Sequence, residues 1–154
     1  MERFSQKPKD WLIVHVDGAA DNRSRGAAGA VVADSRGQVL DLAGRRVRAI
    51  EENSGSLSNV EAEYAALILG MELAQKFRDR PIEFRCDCEV VVRQMRGEFG
   101  VKSAAIKNWH RRACELARSF RQVRYVHIRR QQNQLANGLA ADALRGQERM
   151  SIRR

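Results

Sequence analysis

Three short apolar runs, separated by polar and turn-forming residues, occupy the first third of the chain and strongly constrain its fold. They span residues 11–17, 26–33 and 39–47, lengths typical of strands rather than helices. The segment Asp34-Ser35-Arg36-Gly37 lies between the second and third runs. Because this composition favours a tight turn, the two runs are predicted to pair as a β-hairpin.

Helices and strands alternate after these runs. A helix is predicted from Ser58 or Asn59, either of which is a suitable N-cap, to about Phe77, with apolar residues on a 3.6-residue period. Further strands are predicted at 82–87 and 123–128, and further helices at 90–96, 103–120 and 133–144. The order βββαβααβα predicts one mixed α/β domain.

Composition narrows the classes of function. The chain has 154 residues and a net charge of +9, and a basic protein of this kind favours nucleic acid as a partner. Three cysteines without framework spacing suggest a reduced, cytoplasmic protein. No apolar run approaches the roughly 18 residues of a membrane span, so no membrane partner is expected. We expect a polar leader at 1–10, the domain at 11–145 and a basic tail at 146–154.

Two carboxylates recur at the ends of apolar runs. Asp17 closes the first run, and Asp87 directly follows the run 82–86. A lone aspartate at such a position is more often a solvent contact. If the two strands are parallel neighbours, however, their carboxyl ends meet at the edge where α/β sheets bind ligands. Gathered carboxylates supply the oxygen ligands that Mg²⁺ requires.

With these residues identified, four motifs together resemble the type I ribonuclease H family. The match extends from about Trp11 to Leu144, and the motifs follow the family's order and spacing. They read Asp17-Gly18-Ala19, Asn59-Val60-Glu61-Ala62-Glu63-Tyr64, Asp87-Cys88-Glu89-Val90-Val91, and Asn133-Gln134-Leu135-Ala136-Asn137-Gly138-Leu139-Ala140. Each motif alone is weak, whereas four in order are specific.

The resemblance implies a ribonuclease H-like fold, a five-stranded mixed sheet whose first three strands are antiparallel, flanked by helices. It implies a monomeric enzyme that hydrolyses the RNA strand of RNA·DNA hybrids with two Mg²⁺ ions, which Mn²⁺ can replace. The implied metal ligands are Asp17, Glu63, Asp87 and, where the family has aspartate, Asn137. His127 matches a region that often carries a catalytic histidine, although a structural role is an equal alternative.

Further positions are expected to contact the substrate. They are Gly18, Ala19, Asn59, Cys88, Glu89, Asn133, Arg129 and Arg130. The basic insertion that many bacterial members carry is absent, so arginines between 111 and 130 are expected to contribute phosphate contacts. A solvated helix face is the alternative for most of them.

Two functions remain open at this point. The first is the metal-dependent hybrid nuclease. The second is a binding module of the same fold that holds hybrid or double-stranded RNA with weakened or no cleavage. The departures from the family pattern at Val60, Glu89 and Asn137 motivate the second.

Overall fold

A computed structural model describes residues 11–21, 23, 25–47 and 57–152. The predicted leader 1–10, the predicted loop 51–56 and the last two arginines lie outside the described residues. The domain is a sheet of five strands in the spatial order β3-β2-β1-β4-β5. The strands are β1 (Leu12–Ala20), β2 (Gly26–Ala33), β3 (Val39–Val47), β4 (Ile82–Cys86) and β5 (Val123–His127).

The sheet is mixed, as expected. β1 pairs antiparallel with β2, and β2 pairs antiparallel with β3. β1 pairs parallel with β4, and β4 pairs parallel with β5. The carboxyl ends of β1 and β4 therefore lie side by side, which is the arrangement required for their acidic residues to meet.

Helices complete the predicted order βββαβααβα. They are α1 (Asn59–Ala74), α2 (Glu89–Met95), α3 (Ala104–Ala117) and α4 (Gln134–Leu144). Short 3-10 turns at Gln75–Phe77 and Arg130–Gln132 extend α1 and precede α4. Within the described ranges, none of the helices has the length and apolar character needed to cross a membrane.

The hairpin is confirmed, and β1 is longer than predicted. In the hairpin turn, Asp34 Oδ1 accepts hydrogen bonds from the backbone of Arg36 and Gln38, and Gly37 has a φ of 87°. The prediction that Asp17 ends its strand is wrong, because β1 continues to Ala20 and its small residues pair with the start of β2. Asp17 thus lies inside a strand, where it is paired with Gly29 of β2.

α1 packs on one face of the sheet and is fixed at its N-terminus. Ser58 is the N-cap, and its side chain and that of Glu61 form a capping box. The second carboxylate oxygen of Glu61 accepts from Nε1 of buried Trp109 at 2.9 Å, which ties α1 to α3. Glu61 is therefore committed to structure.

α4 packs on the opposite face, unusually close to the sheet. A Cβ atom at Gly29 would lie 2.3 Å from the carbonyl oxygen of Ala136, and one at Gly44 would lie 2.7 Å from that of Leu139. Only glycine permits this approach at these positions. The close packing brings the start of α4 next to β1.

The described part of the predicted basic tail packs against β3. Arg149 forms an antiparallel bridge with Gly44. Asp41, fully buried, accepts hydrogen bonds from Lys76, the Ser151 hydroxyl and the Ile152 backbone. Residues beyond the predicted boundary at 145 therefore contribute to the packing of this domain, because they satisfy a buried carboxylate.

Candidate active site

Asp17, Glu63 and Asp87 come together at one place. Each offers a carboxylate oxygen, and these three oxygens lie within 4.8 Å of one another. Asp17 comes from β1, Glu63 from the second turn of α1, and Asp87 from the residue after β4. In the described part of the chain this is the one cluster of three or more such ligands.

A glycine determines which glutamate joins the cluster. A Cβ atom at Gly18 would lie 2.2 Å from the carbonyl oxygen of Ala62, so α1 touches β1 at this point. The Gly18 N–H donates to Glu63 Oε1 at 2.8 Å, which turns Glu63 toward Asp17. That N–H is already used within the protein, so a substrate contact at Gly18 would involve other main-chain atoms. Neighbouring Ala19 is also paired, with Ala27 of β2.

Asn133 holds Asp87 rather than substrate. Its side chain is 1% exposed, too buried for the substrate contact that we expected. Nδ2 donates to the Val16 carbonyl at 2.9 Å and to Asp87 Oδ2 at 3.5 Å. Asn133 therefore links the end of β1 to the Asp87 carboxylate and acts as a positioning residue. The sequence motif marked this residue but not which atoms it touches.

Asn137 lies at the cluster, four residues further along α4. Its Nδ2 donates to Asp17 Oδ2 at 2.7 Å. Because an ionised carboxylate only accepts hydrogen bonds, the amide nitrogen faces Asp17, and the single oxygen remains for any cation. Asp142 pairs with Arg145 on the surface and does not replace the missing carboxylate.

The cluster favours protonation when no cation is present. Burial, followed by the charges of Asp17 and Asp87, raises the pKa of Glu63 well above its usual range. Burial also raises the pKa of Asp17, and the hydrogen bond from Asn137 and the charge of Arg130 oppose that rise. A divalent cation relieves both desolvation and repulsion, so this set of donors fits a hard cation.

The raised pKa values predict how stability depends on pH. A carboxyl whose native pKa exceeds its unfolded value stabilises the fold when protonated, and this contribution is lost as pH rises through the native pKa. We therefore expect the melting temperature of the native protein in EDTA to fall as the pH rises from 4 to 8. This fall should exceed that of the Glu63→Gln variant by about 3 °C or more. Adding Mg²⁺ at pH 8 should reverse the difference. Glu72→Gln, on the exposed side of α1, is the matched control and should track the native protein.

Other expected site residues lie around the cluster. His127 is the last residue of β5, beside Cys86, and not in the following loop. In the described residues no hydrogen bond joins it to the three carboxylates, and the pKa of exposed Glu89 is lowered first by the hydrogen bond and charge of Arg93. Cys88 is the N-cap residue of α2, and burial raises the pKa of its thiol. Asn59 is exposed at the first position of α1.

The arginines between residues 111 and 130 do not form one continuous surface. Arg130 is close enough to lower the pKa of Asp17, and neighbouring Arg129 is exposed. Arg124 is instead bound to Glu83 near the start of β4, at the end of the strand away from Asp87. Arg112 lies over the Trp109 ring, 5.2 Å from its centroid. Of the arginines from 111 to 130 that were expected to bind phosphates, only the pair Arg129 and Arg130 is placed here beside the carboxylate cluster.

A family model described as reverse transcriptase-like matches residues 15–143, which include all three carboxylates. Ribonuclease HI of Halobacterium salinarum is 30% identical over 131 residues, covering 84% of this chain and 62% of that protein. The chain belongs to the type I ribonuclease H family. A bifunctional protein of Mycobacterium tuberculosis is 34% identical over 90 residues, covering 58% of this chain and 25% of that protein. The chain thus spans less than two thirds of the length of these relatives.

Solved structures of ribonucleases H1 have the same fold. That of Halobacterium salinarum superposes with a TM-score of 0.79 at 28% identity, covering 88% of this chain and 98% of the other. LC11 ribonuclease H1, solved in complex with an RNA/DNA hybrid, superposes with a TM-score of 0.78 at 28% identity, covering 88% and 97%. The five-stranded mixed sheet with its helices is therefore that of this ribonuclease H family.

Proposed function

We propose that this protein is a metal-dependent endonuclease that hydrolyses the RNA strand of RNA·DNA hybrids. The observation that carries the proposal is the Asp17–Glu63–Asp87 cluster, built from three separate elements with its oxygens within 4.8 Å. The similarity to LC11 ribonuclease H1, which was solved with such a hybrid, supports the choice of substrate. Mg²⁺ is the proposed cation, because the ligands are all oxygens.

The residues of the site have two proposed roles, binding the cations and positioning the side chains that bind them. Asp17, Glu63 and Asp87 would bind them through their carboxylates, and the amide oxygen of Asn137 is a further neutral ligand. A site that held two divalent cations would gain Lewis-acid chemistry, namely activation of water and stabilisation of the leaving 3′ oxygen. Asn137 keeps Asp17 Oδ2 in place, and Asn133 keeps Asp87 in place, so two of the ligands are held by donors from α4 and its N-cap. His127, at the nearby end of β5, is the proposed proton-relay residue.

Substrate recognition would come from the exposed groups around this cluster. Asn59, exposed at the start of α1, suits contact with an RNA 2′-hydroxyl, the group that distinguishes RNA from DNA. Arg129 and Arg130, exposed directly before α4, suit contact with phosphates. Glu89 and Cys88, at the start of α2, lie on the other side of Asp87.

The arginine pair and Asn59 should differ in their effects on binding. Replacing Arg129 and Arg130 together by alanine should weaken hybrid and double-stranded RNA alike and reduce the slope of log affinity against log salt by up to about 2. Asn59→Ala should weaken hybrid binding more than that of double-stranded DNA, since a 2′-hydroxyl contact is lost. Arg111→Ala with Arg118→Ala, on α3 and at its C-cap, is the control pair. An unchanged salt slope for the first pair would place it away from the substrate.

The experiment that tests the function is cleavage of labelled strands in Mg²⁺ or Mn²⁺. We expect cleavage of the RNA strand of a hybrid, with single-stranded RNA and double-stranded RNA cut far more slowly. Equal cleavage of single-stranded RNA would contradict the proposal.

We also propose that the protein is a monomer, which sedimentation should show. The free thiols of Cys86, Cys88 and Cys114 fit the proposed cytoplasmic location.

One observation favours a second candidate function, a module that binds hybrid or double-stranded RNA without cutting it. Asn137 removes one negative charge from the cluster and places an amide nitrogen on Asp17. Binding of a hybrid in EDTA with no cleavage in either metal would support this second function.

A further inference from the structure

A groove crosses the sheet face that α4 covers only in part. α4 packs against β1, β2 and β3, whereas Arg85 of β4 and Arg124 of β5 line a cavity of about 290 Å³ on this face. A second cavity of about 200 Å³ adjoins it toward Leu135 of α4. Both cavities are lined by His15, Ala33 and Gly37, so together they form one continuous groove.

A buried carboxylate orients two guanidinium groups at one end of this groove. Glu83 is 4% exposed. Arg124 Nε donates to its Oε1 at 2.6 Å, and Arg85 Nε donates to its Oε2. Burial alone would raise the pKa of Glu83, but these two arginines outweigh burial and lower it, so the carboxylate is ionised. Arg124 is further fixed over the Trp11 ring, 3.8 Å from its centroid.

The two arginines retain binding capacity after contacting Glu83. Each uses Nε for that contact, and within the described part of the chain no protein acceptor is bonded to their terminal nitrogens. Their side chains are 36% and 49% exposed, so these nitrogens are accessible from the groove. The two positive charges are balanced by buried Glu83 and by Asp34, which lines the same cavity and accepts from the hairpin backbone through Oδ1. The terminal nitrogens therefore offer directed hydrogen-bond donors rather than an excess of charge.

The rest of the groove is mainly apolar. Ile13 and Ala33 line the first cavity, and Val31, Val39 and Leu135 line the second. Burial, followed by the charge of Arg85, lowers the pKa of His15, so a neutral imidazole lies between the two parts. A fork of guanidinium donors beside an apolar wall suits a ligand with an oxyanion at one end and a ring at the other.

We propose that this groove is a binding site for a small aromatic phosphate or carboxylate. The oxyanion would bind the terminal nitrogens of Arg85 and Arg124, and the ring would lie against Ile13 and Ala33 toward His15. At about 30 Å³ for each non-hydrogen group, the first cavity accommodates about ten such groups, the size of a substituted benzene. Glu83 of β4 lies four residues before Asp87, which follows the strand, so about 13 Å of extended chain separates them. The ligand would therefore bind beside, and not within, the carboxylate cluster.

The test is calorimetric or NMR titration of the full chain with phenyl phosphate. Inorganic phosphate, which lacks the ring, and phenol, which lacks the oxyanion, should each bind at least about tenfold more weakly. Benzoate distinguishes the carboxylate from the phosphate as the preferred head group. Arg124→Gln and Arg124→Lys should both weaken phenyl phosphate binding, the second because lysine keeps the charge but loses the fork. Arg118→Gln, which removes an exposed arginine from the end of α3, should not.

The Glu83→Gln variant distinguishes two effects of Glu83 on anion binding, its orientation of the two arginines and its negative charge. Removing this negative charge should strengthen anion binding if only the net charge matters, and weaken it if Glu83 orients the two arginines. Weakening would support the proposal, and strengthening would overturn it. Absence of saturable phenyl phosphate binding at millimolar concentration would also overturn it. So would an Arg124→Gln variant that loses hybrid affinity as strongly as phenyl phosphate affinity, because the arginines would then belong to a nucleic-acid surface.

Discussion

Asp87→Asn should lower the rate of hybrid cleavage by about a hundredfold or more while leaving the fold intact. The substitution keeps the shape of the side chain and the contact with Asn133, but it removes one of the three negative charges that would hold the proposed cations. Charge stabilisation at a catalytic centre commonly contributes a factor of about 10² to 10³ in rate. Initial rates on a labelled hybrid, at saturating Mg²⁺ and again in Mn²⁺, measure the effect.

The control for this variant is Asp142→Asn. It makes the same change of charge on the surface of α4, where Arg145 is the ion-pair partner of the Asp142 carboxylate. Its rate should stay within about twofold of the native rate, as is usual for a surface position. Binding of the hybrid in EDTA should be similar for both variants. A native cleavage rate for Asp87→Asn would exclude this cluster as the catalytic centre.

Asn137→Asp should produce opposite effects on the metal-free protein and on the metal-bound protein. Without cations, the donor at 2.7 Å from Asp17 Oδ2 becomes a second carboxylate, so the free energy of unfolding should fall by about 1–3 kcal/mol. With cations, a fourth charged ligand should raise metal affinity by about tenfold or more. Calorimetry with Mn²⁺ and thermal unfolding with and without EDTA measure the two effects separately. Gln134→Glu, an exposed position on the same helix, controls for charge.

The same variant also separates the two candidate functions. A large gain in hybrid cleavage would identify the native protein as a nuclease whose activity is limited by Asn137. Cleavage by neither form, with metal affinity increased as expected, would identify a binding module. Loss of metal affinity would contradict the assignment of Asn137 to the cation site.

The order of elements could be predicted from sequence because it depends on local patterns. The apolar runs and the turn at Asp34–Gly37 each act over a few residues and are confirmed, and the N-cap, which the sequence leaves between Ser58 and Asn59, is Ser58. The end of β1 was missed because Gly18, Ala19 and Ala20 carry little strand signal of their own. They are strand residues because β2 is beside them to pair with.

The family, the mixed sheet and the identity of the three carboxylates follow from the sequence, because the motifs carry those residues in order. Which atoms each polar group contacts depends on how the elements pack. Glu63 faces Asp17, whereas Glu61 binds Trp109, because α1 meets β1 at Gly18. Asn133 and Asn137 are one helical turn apart, yet one supports Asp87 and the other donates to Asp17. Such contacts join residues more than 40 positions apart, so they depend on packing between elements, which no local pattern encodes.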